Sequence, residues 1–398
     1  MKKIYWIIIG LIIILVIWML PRLLGALYIS SAEIPLTPFK PGEMKYVCPD
    51  GSTVDDPIQC PTNETMTEIK TSQIPECLDQ LFTVSPIEIN KIYSLTPLGS
   101  INPPGHTFPT EHMYFHITYG GETTDITPLR APGDIYITSI SSSSDAIAGE
   151  QRTDYSIHFA LCKDVYGYYN HVKELSDEIF SLFEEAECLS WSVSQDGYCT
   201  KELFHKANAG EVIGGVGHLQ GNFDFGVYDY RTKSNFANIP RYTSRTPYIV
   251  CPLEYYDELT KEQLYNKIER TEEPLCGEVM QDIPGTLQGN WFHEDTVLDV
   301  DWETNLGFFH DNIDPSKAII SVGGMFMQTS KWEFIEKTSG LVNRKFSYVI
   351  PGNVYCYDEG YPGRIIVQLV NETELKIEYQ DGTCIGEFIF NNPTTYYR

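Results

Sequence analysis

The chain has 398 residues, with 54 acidic against 28 basic side chains and a net charge of −26. A length well above one typical core of about 150 residues implies two folded domains with connecting segments. A field of that sign repels phosphate backbones, which excludes nucleic acid as a partner. Charged residues make up 21% and aromatic residues 13%, with 26 Tyr, a balance that favours half-buried pleated surfaces and hence β structure.

Residues 4–20, "IYWIIIGLIIILVIWML", form an uncharged apolar run that rises about 25 Å as a helix, enough for a bilayer core. Lys2 and Lys3 precede it, Trp6 and Trp18 sit near its ends, and Pro21 and Arg22 close it. That pattern predicts an uncleaved single-pass anchor over residues 1–24, with a cytoplasmic N-terminus and the bulk of the chain extracytoplasmic. The rival reading, a signal peptide cut at Ser30-Ser31-Ala32, has its small residues too far from the apolar run.

Ten cysteines outside the membrane read as disulfides. Residues 25–84, rich in Pro, Thr and acids and carrying the sequon Asn63-Glu64-Thr65, read as a stalk stapled by Cys48 and Cys60 across "CPDGSTVDDPIQC". Cys188 pairs with Cys199 across "CLSWSVSQDGYC", and Cys356 with Cys384 in strand-like segments. No two cysteines stand at C-x-x-C spacing, which argues against a cysteine zinc site.

Residues 85–250 carry short β runs broken by turns: "MYFHITY", "GDIYITSI", "DYSIHFALC", "EVIGGVG" and "FDFGVYDY". Within them, Val172, Leu175, Ile179, Leu182 and Phe183 recur at helical spacing, predicting an inserted helical hairpin over 172–207. Residues 251–275 read as a connector holding a polar helix capped at Thr260, with Glu262 near its start. From 276 to 398 strand signals return, as a small C-terminal β barrel or sandwich, with Asp381-Gly382 as a hairpin turn and a second sequon at Asn371. "GTLQGNWFHED" is either its first strand or a docking strand. Asp299 to Ser316 is acidic but lacks the odd-position oxygens and central Gly of a calcium loop, so it reads as a solvated loop. No nucleophile elbow, phosphate loop, H-E-x-x-H or EF-hand loop is present.

Three stretches in 85–250, taken in order, resemble the lysostaphin-type murein zinc endopeptidases, a duplicated-hybrid-motif β-sheet fold. They are "GHTFPTEHMYFHI", where that family carries His-x-x-x-Asp; "DVYGYYNHVKEL", similar to its Tyr-x-His segment; and "ANAGEVIGGVGHLQGNFDFGVYD", similar to its Gly-rich turn and following His-x-His strand. The resemblance implies zinc on three protein ligands with an open place for water. With His112 as first ligand, His116 takes the place of the family's Asp, Asp224 that of the ligand His, and Asn222 that of a catalytic His, while His171 keeps its place as a catalytic residue. His112, His116 and Asp224 together are two imidazoles and a carboxylate, a set suited to zinc or ferrous iron. Along a regular strand, however, His112 and His116 stand about 13 Å apart, and Tyr114 occupies the middle of the motif, where the family often bends at Gly. Starting the motif at His106 puts Thr110 at the fifth position, with Glu111 one step off. His158 reads as structural, and His205 and His218 as turn or helix-end residues.

The expected protein is therefore mainly β: a membrane-anchored, lysostaphin-type peptidase-like sheet domain with a helical insertion, plus a C-terminal β domain. Two functions compete. The leading one is a degenerate, non-catalytic domain, without a cofactor, that binds cell-envelope polymer or another surface protein. The other is a divergent metal-dependent endopeptidase cutting cell-wall peptide cross-links, with zinc and with His171 as helper.

Overall fold

The computed structural model describes residues 46–47, 53–54 and 73–398, apart from 79, 120–122, 124, 148–149, 190–191, 193–197, 219 and 361–362. The expected membrane anchor and the expected Cys48–Cys60 staple lie outside the described residues. Strands β1 (Tyr46–Val47) and β2 (Thr53–Val54) form a small antiparallel ribbon. The rest is mainly β, in two antiparallel sheets.

The first sheet contains β3 (Ser94–Thr96), β4 (Met113–His116), β5 (Ile126–Arg130), β6 (Ile135–Ile147), β7 (Glu150–Cys162) and β8 (Val165–Leu175), then β9 (Cys199–Ala207), β10 (Val212–Gly217), β11 (Asn222–Asp229) and β12 (Ile249–Val250). Its spatial order is β3-β4-β11-β8-β7-β6-β9, with β10 bridging β5 and β8, and β12 on β11. Period-2 alternation sends Met113, Phe115, Tyr169, Phe223 and Phe225 into one apolar core. Tyr114, His116, Asn170 and Asp224 occupy the opposite face.

The 172–207 segment corrects the expected helical hairpin. Val172 and Leu175 belong to β8, a single helix α1 (Asp177–Glu185) follows, and the return leg is β9, hydrogen-bonded to β6. Pairing of β8 with β10 shifts register between Val172 and Glu174. A bulge of this kind moves the buried positions three apart and so imitates helical spacing. Cys188–Cys199 staples the loop after α1.

The segment from residue 74 is core rather than stalk. Phe82 is fully buried against Phe225 and Tyr256, and Cys77–Cys162 closes 85 residues. The connector also packs into this core through Leu253, Tyr256 and Leu264 and is tied by Cys251–Cys276. Its helix α2 (Glu258–Tyr265) is capped by Asp257, whose carboxylate accepts from the Thr260 N–H, so the cap lies three residues earlier than expected.

The second sheet holds β13 (Gly289–His293), β14 (Asn305–His310), β15 (Lys317–Val322), β16 (Ser330–Ile335), β17 (Val354–Tyr357), β18 (Arg364–Asn371), β19 (Glu374–Gln380) and β20 (Thr394–Tyr397). The order β16-β15-β14-β13-β20-β19-β18-β17 makes β13, inside "GTLQGNWFHED", a central strand. The sheet curls into a half-barrel: Phe334 on one edge strand lies 5.3 Å from Tyr357 on the other. Asp381-Gly382 is not a hairpin turn. The tight turn lies at 371–374, and after residue 380 the chain leaves the sheet, stapled by Cys356–Cys384, before returning as β20. Arg398 tucks over the Trp291 ring at 4.3 Å and donates to the carbonyls of Ile283, Thr286, Gln288 and Asn290.

The two sheets meet through a third apolar cluster. Phe108 and Tyr242 from the first half pack on Phe292, with ring centroids 5.2 and 5.3 Å apart, alongside Phe309 and Ile319. Along β13, Trp291 points into the half-barrel and Phe292 into this seam.

Candidate functional site

Three side chains converge on the polar face of the first sheet. Asp224 on β11 stands opposite Tyr114 on one side and Asn170 on the other. His112, immediately before β4, brings Nε2 to 3.4 Å from Asp224 Oδ2. His171 brings its own Nε2 to 3.6 Å from the same oxygen, and Asn170 Nδ2 donates to it at 3.2 Å.

His171 reaches this face through a local irregularity. Up to Asn170, β8 pairs with β11, and from Val172 it pairs with β10. Opposite β7, the register shifts between Tyr155 and Ile157, so that two residues of β8 face one. At the shift His171 adopts φ 62°, a left-handed conformation that costs a non-glycine residue about 1 kcal/mol or more. Backbone strain at this position turns two consecutive side chains towards Asp224.

Each imidazole is fixed through its other nitrogen. His171 Nδ1 lies 2.9 Å from Asp154 Oδ2, and Asp154 in turn lies 3.6 Å from the buried Arg152 guanidinium. His112 Nδ1 lies 3.2 Å from the Tyr168 hydroxyl, which itself faces the Glu111 carbonyl. With the phenol donating to that carbonyl, it accepts from Nδ1–H and leaves the His112 lone pair on Nε2, facing Asp224. Carboxylate or hydroxyl partners behind an imidazole are the usual way a metal-ligating histidine is oriented. Burial holds His112 below its ordinary pKa, against the pull of Asp224. For His171 burial also acts downward, but the Asp154 hydrogen bond and the charges of Asp224 and Asp154 outweigh it and raise the pKa.

His112 Nε2 and Asp224 Oδ1 are buried without a hydrogen-bond partner. Two buried acceptors without a hydrogen-bond donor, on side chains already 3.4 Å apart at Nε2 and Oδ2, suit a cation. Two imidazoles and one carboxylate are a donor set for zinc-class ions, so the residues present fit that group. Their spacing is looser than a formed site. Among the described residues, the set whose ligand atoms all lie within 4.8 Å of one another is Glu178, His205 and Glu211, between α1, β9 and the turn before β10.

His116, expected as a third ligand, does not join Asp224. Its Nε2 faces Thr96 Oγ1 at 2.8 Å, and Thr96 donates onward to Glu269 of the connector. His112 precedes β4 and His116 is its last residue, so the strand holds them apart, and His171 stands in the third position instead. His106 does approach: its ring lies 5.6 Å from that of His112, on a turn whose Asn102 and His106 exchange backbone hydrogen bonds. Burial beside His112 lowers its pKa to about 4. His205 lies in β9 rather than in a turn.

The convergent residues line a cleft of about 440 Å³ between the two sheets. One wall carries His106, His112, His158, Tyr168, His171 and Asp224. The half-barrel contributes Asn290, Asp299 and Trp302, and the segment after β11 contributes Tyr242 and Arg245. Asp299 corrects the solvated-loop reading of 299–316: it is buried, accepts from Thr243 N–H and Thr246 Oγ1, and the segment continues into β14. Thr246 Oγ1 also contacts Glu111 Oε1. Asp154, Tyr168, Arg245 and Asp299 carry no motif, and only the three-dimensional pairing of strands reveals them. The chain matches no protein-family model, no curated protein and no solved structure.

Proposed function

We propose that the protein is a metal-dependent hydrolase with one zinc-class ion held by His112 Nε2, His171 Nε2 and Asp224, acting on peptide bonds of extracytoplasmic envelope material. One observation carries it: two imidazoles, each fixed from behind, approach one oxygen of a buried carboxylate, and neither His112 Nε2 nor the other carboxylate oxygen has a hydrogen-bond partner. Held there, such an ion would supply Lewis acidity towards a carbonyl oxygen and a bound water. Asn170 orients Asp224, while Asp154 and Tyr168 hold the two rings. His106 and Tyr114 cover the His112 ring and restrict water. Hydrolysis of the amide would leave the water's oxygen on the new carboxylate and both of its protons on the departing amine, as an ammonium. The order of the three peptidase-like stretches supports the substrate class. The apolar run at 4–20 and the disulfides support a membrane-anchored, extracytoplasmic setting.

The test is metal content of the purified chain beside His112→Ala and Asp224→Ala. Stoichiometric zinc or iron, lost in both variants, is expected; no metal in the wild-type protein refutes the reading. A second reading, a metal-free binding cleft, is favoured by Asn222, which stands opposite His116 where the resemblance expects a catalytic imidazole. Envelope polymer retained equally by wild type and Asp224→Ala, without metal, would select it.

A further inference from the structure

Among the described residues lining the cleft, Arg245 is the one Lys or Arg. It is exposed, and its guanidinium carbon lies 5.5 Å from the centre of the Tyr228 ring. Among the described residues no carboxylate forms an ion pair with it; the acids whose charge it feels, Glu111 and Asp299, are engaged by the Thr246 hydroxyl instead. An arginine stacked on an aromatic face is held in place while its planar fork of N–H donors stays free, the geometry that takes a carboxylate in two parallel hydrogen bonds. In a chain of net charge −26, an anionic ligand group is repelled at long range, so its binding needs a cation of this kind within the cleft.

The position of Arg245 relative to the convergent histidines sets the length of what binds. Tyr168 touches His112 through its hydroxyl at 3.2 Å and stacks on Tyr228 at 5.4 Å, and Arg245 lies over Tyr228. Laid end to end, these contacts span about five extended residues at most. The half-barrel supplies the facing wall through Asn290, Asp299 and Trp302, and a cleft of about 440 Å³ is of the size that encloses a small ligand.

We infer that Arg245 anchors the terminal carboxylate of a bound peptide, so that the cleft takes C-terminal ends, with the cut bond a few residues away, rather than the middle of a polymer. The inference rests on the hydrolase reading for the cut but not for the anchor. Calorimetric titration of chelator-treated protein with acetyl-trialanine, as free acid and as amide in both L and D forms, separates the two. The free acid of at least one form is expected to bind about tenfold or more tighter than its amide. Arg245→Met should abolish that preference and Arg245→Lys keep part of it, each variant being checked for an unchanged thermal midpoint. Equal binding of acid and amide, no binding of any free acid, or a preference that persists in Arg245→Met overturns the inference. The same peptides with zinc-loaded protein test the hydrolase reading separately: no cleavage beside an intact, Arg245-dependent acid preference refutes that reading and leaves the anchor standing.

Discussion

Tyr168→Phe removes one oxygen atom and tests whether the hydroxyl behind His112 serves the ion or only the packing. Both partners are buried, Tyr168 at 6% and His112 at 8% exposure, so water cannot replace the lost contact. Leaving a buried imidazole nitrogen unpaired costs about 1–3 kcal/mol, which in a domain of this size lowers the thermal midpoint by about 5 °C. The ring also loses the acceptor that selects the Nδ1–H tautomer. Removing such an outer partner typically weakens metal binding about 10–100-fold, or about 1.4–2.7 kcal/mol. Zinc affinity measured by chelator competition, beside melting of the chelated protein, reads both effects. A lower midpoint with zinc affinity within about twofold of wild type would refute the orienting role and leave Tyr168 as a packing residue.

Gly226→Ala should reproduce the zinc defect by another route: a Cβ there lies 2.2 Å from Tyr168 Cε1 and 2.6 Å from its hydroxyl oxygen, so the phenol must shift, at about 1–3 kcal/mol, read by urea unfolding and zinc titration. His158 is held near pKa 4, first by burial and then by Arg245. Because its folded pKa lies below the unfolded 6.5, the stability it contributes is present above 6.5 and lost as pH falls towards 4, about 2 kcal/mol by pH 5; His158→Gln should flatten the urea midpoint between pH 7 and 5. Arg398→Ala leaves four carbonyls without their donor and should cost about 3 kcal/mol in urea unfolding. Replacing Cys77 and Cys162 by Ala opens an 85-residue loop and should lower stability by about 4 kcal/mol, measured the same way.

Strand runs such as "FDFGVYDY" were legible because alternation with a fully apolar inner face has one interpretation. The grouping of His112, His171 and Asp224 in one region was legible from the order of their segments, but their partners were not. Asp154 stands 17 residues from His171 in sequence and meets it only because β7 and β8 pair with a register shift. The same kind of shift at Val172 made a strand look helical. Cys77–Cys162 and Cys251–Cys276 escaped the local-loop reasoning that suits Cys188–Cys199, because the sheet brings their ends together. Asp299 looked solvated because its neighbours are acidic, whereas the seam between the sheets buries it.

That seam holds a proton by arithmetic. Thr246 has one hydroxyl hydrogen, yet its oxygen faces Glu111, Asp299 at 2.7 Å and Thr243 Oγ1 at 2.8 Å. Burial, reinforced by mutual repulsion in the case of Glu111, raises both acids above the usual carboxylate range, so one acid keeps its proton where a free carboxyl has lost it. Stability from this group is fully present below the unfolded carboxyl value and disappears as pH rises through the folded one, opposite in sign to His158. The contact between the two halves therefore gives up this contribution as pH rises, whereas His158 on the first sheet gives up its own as pH falls.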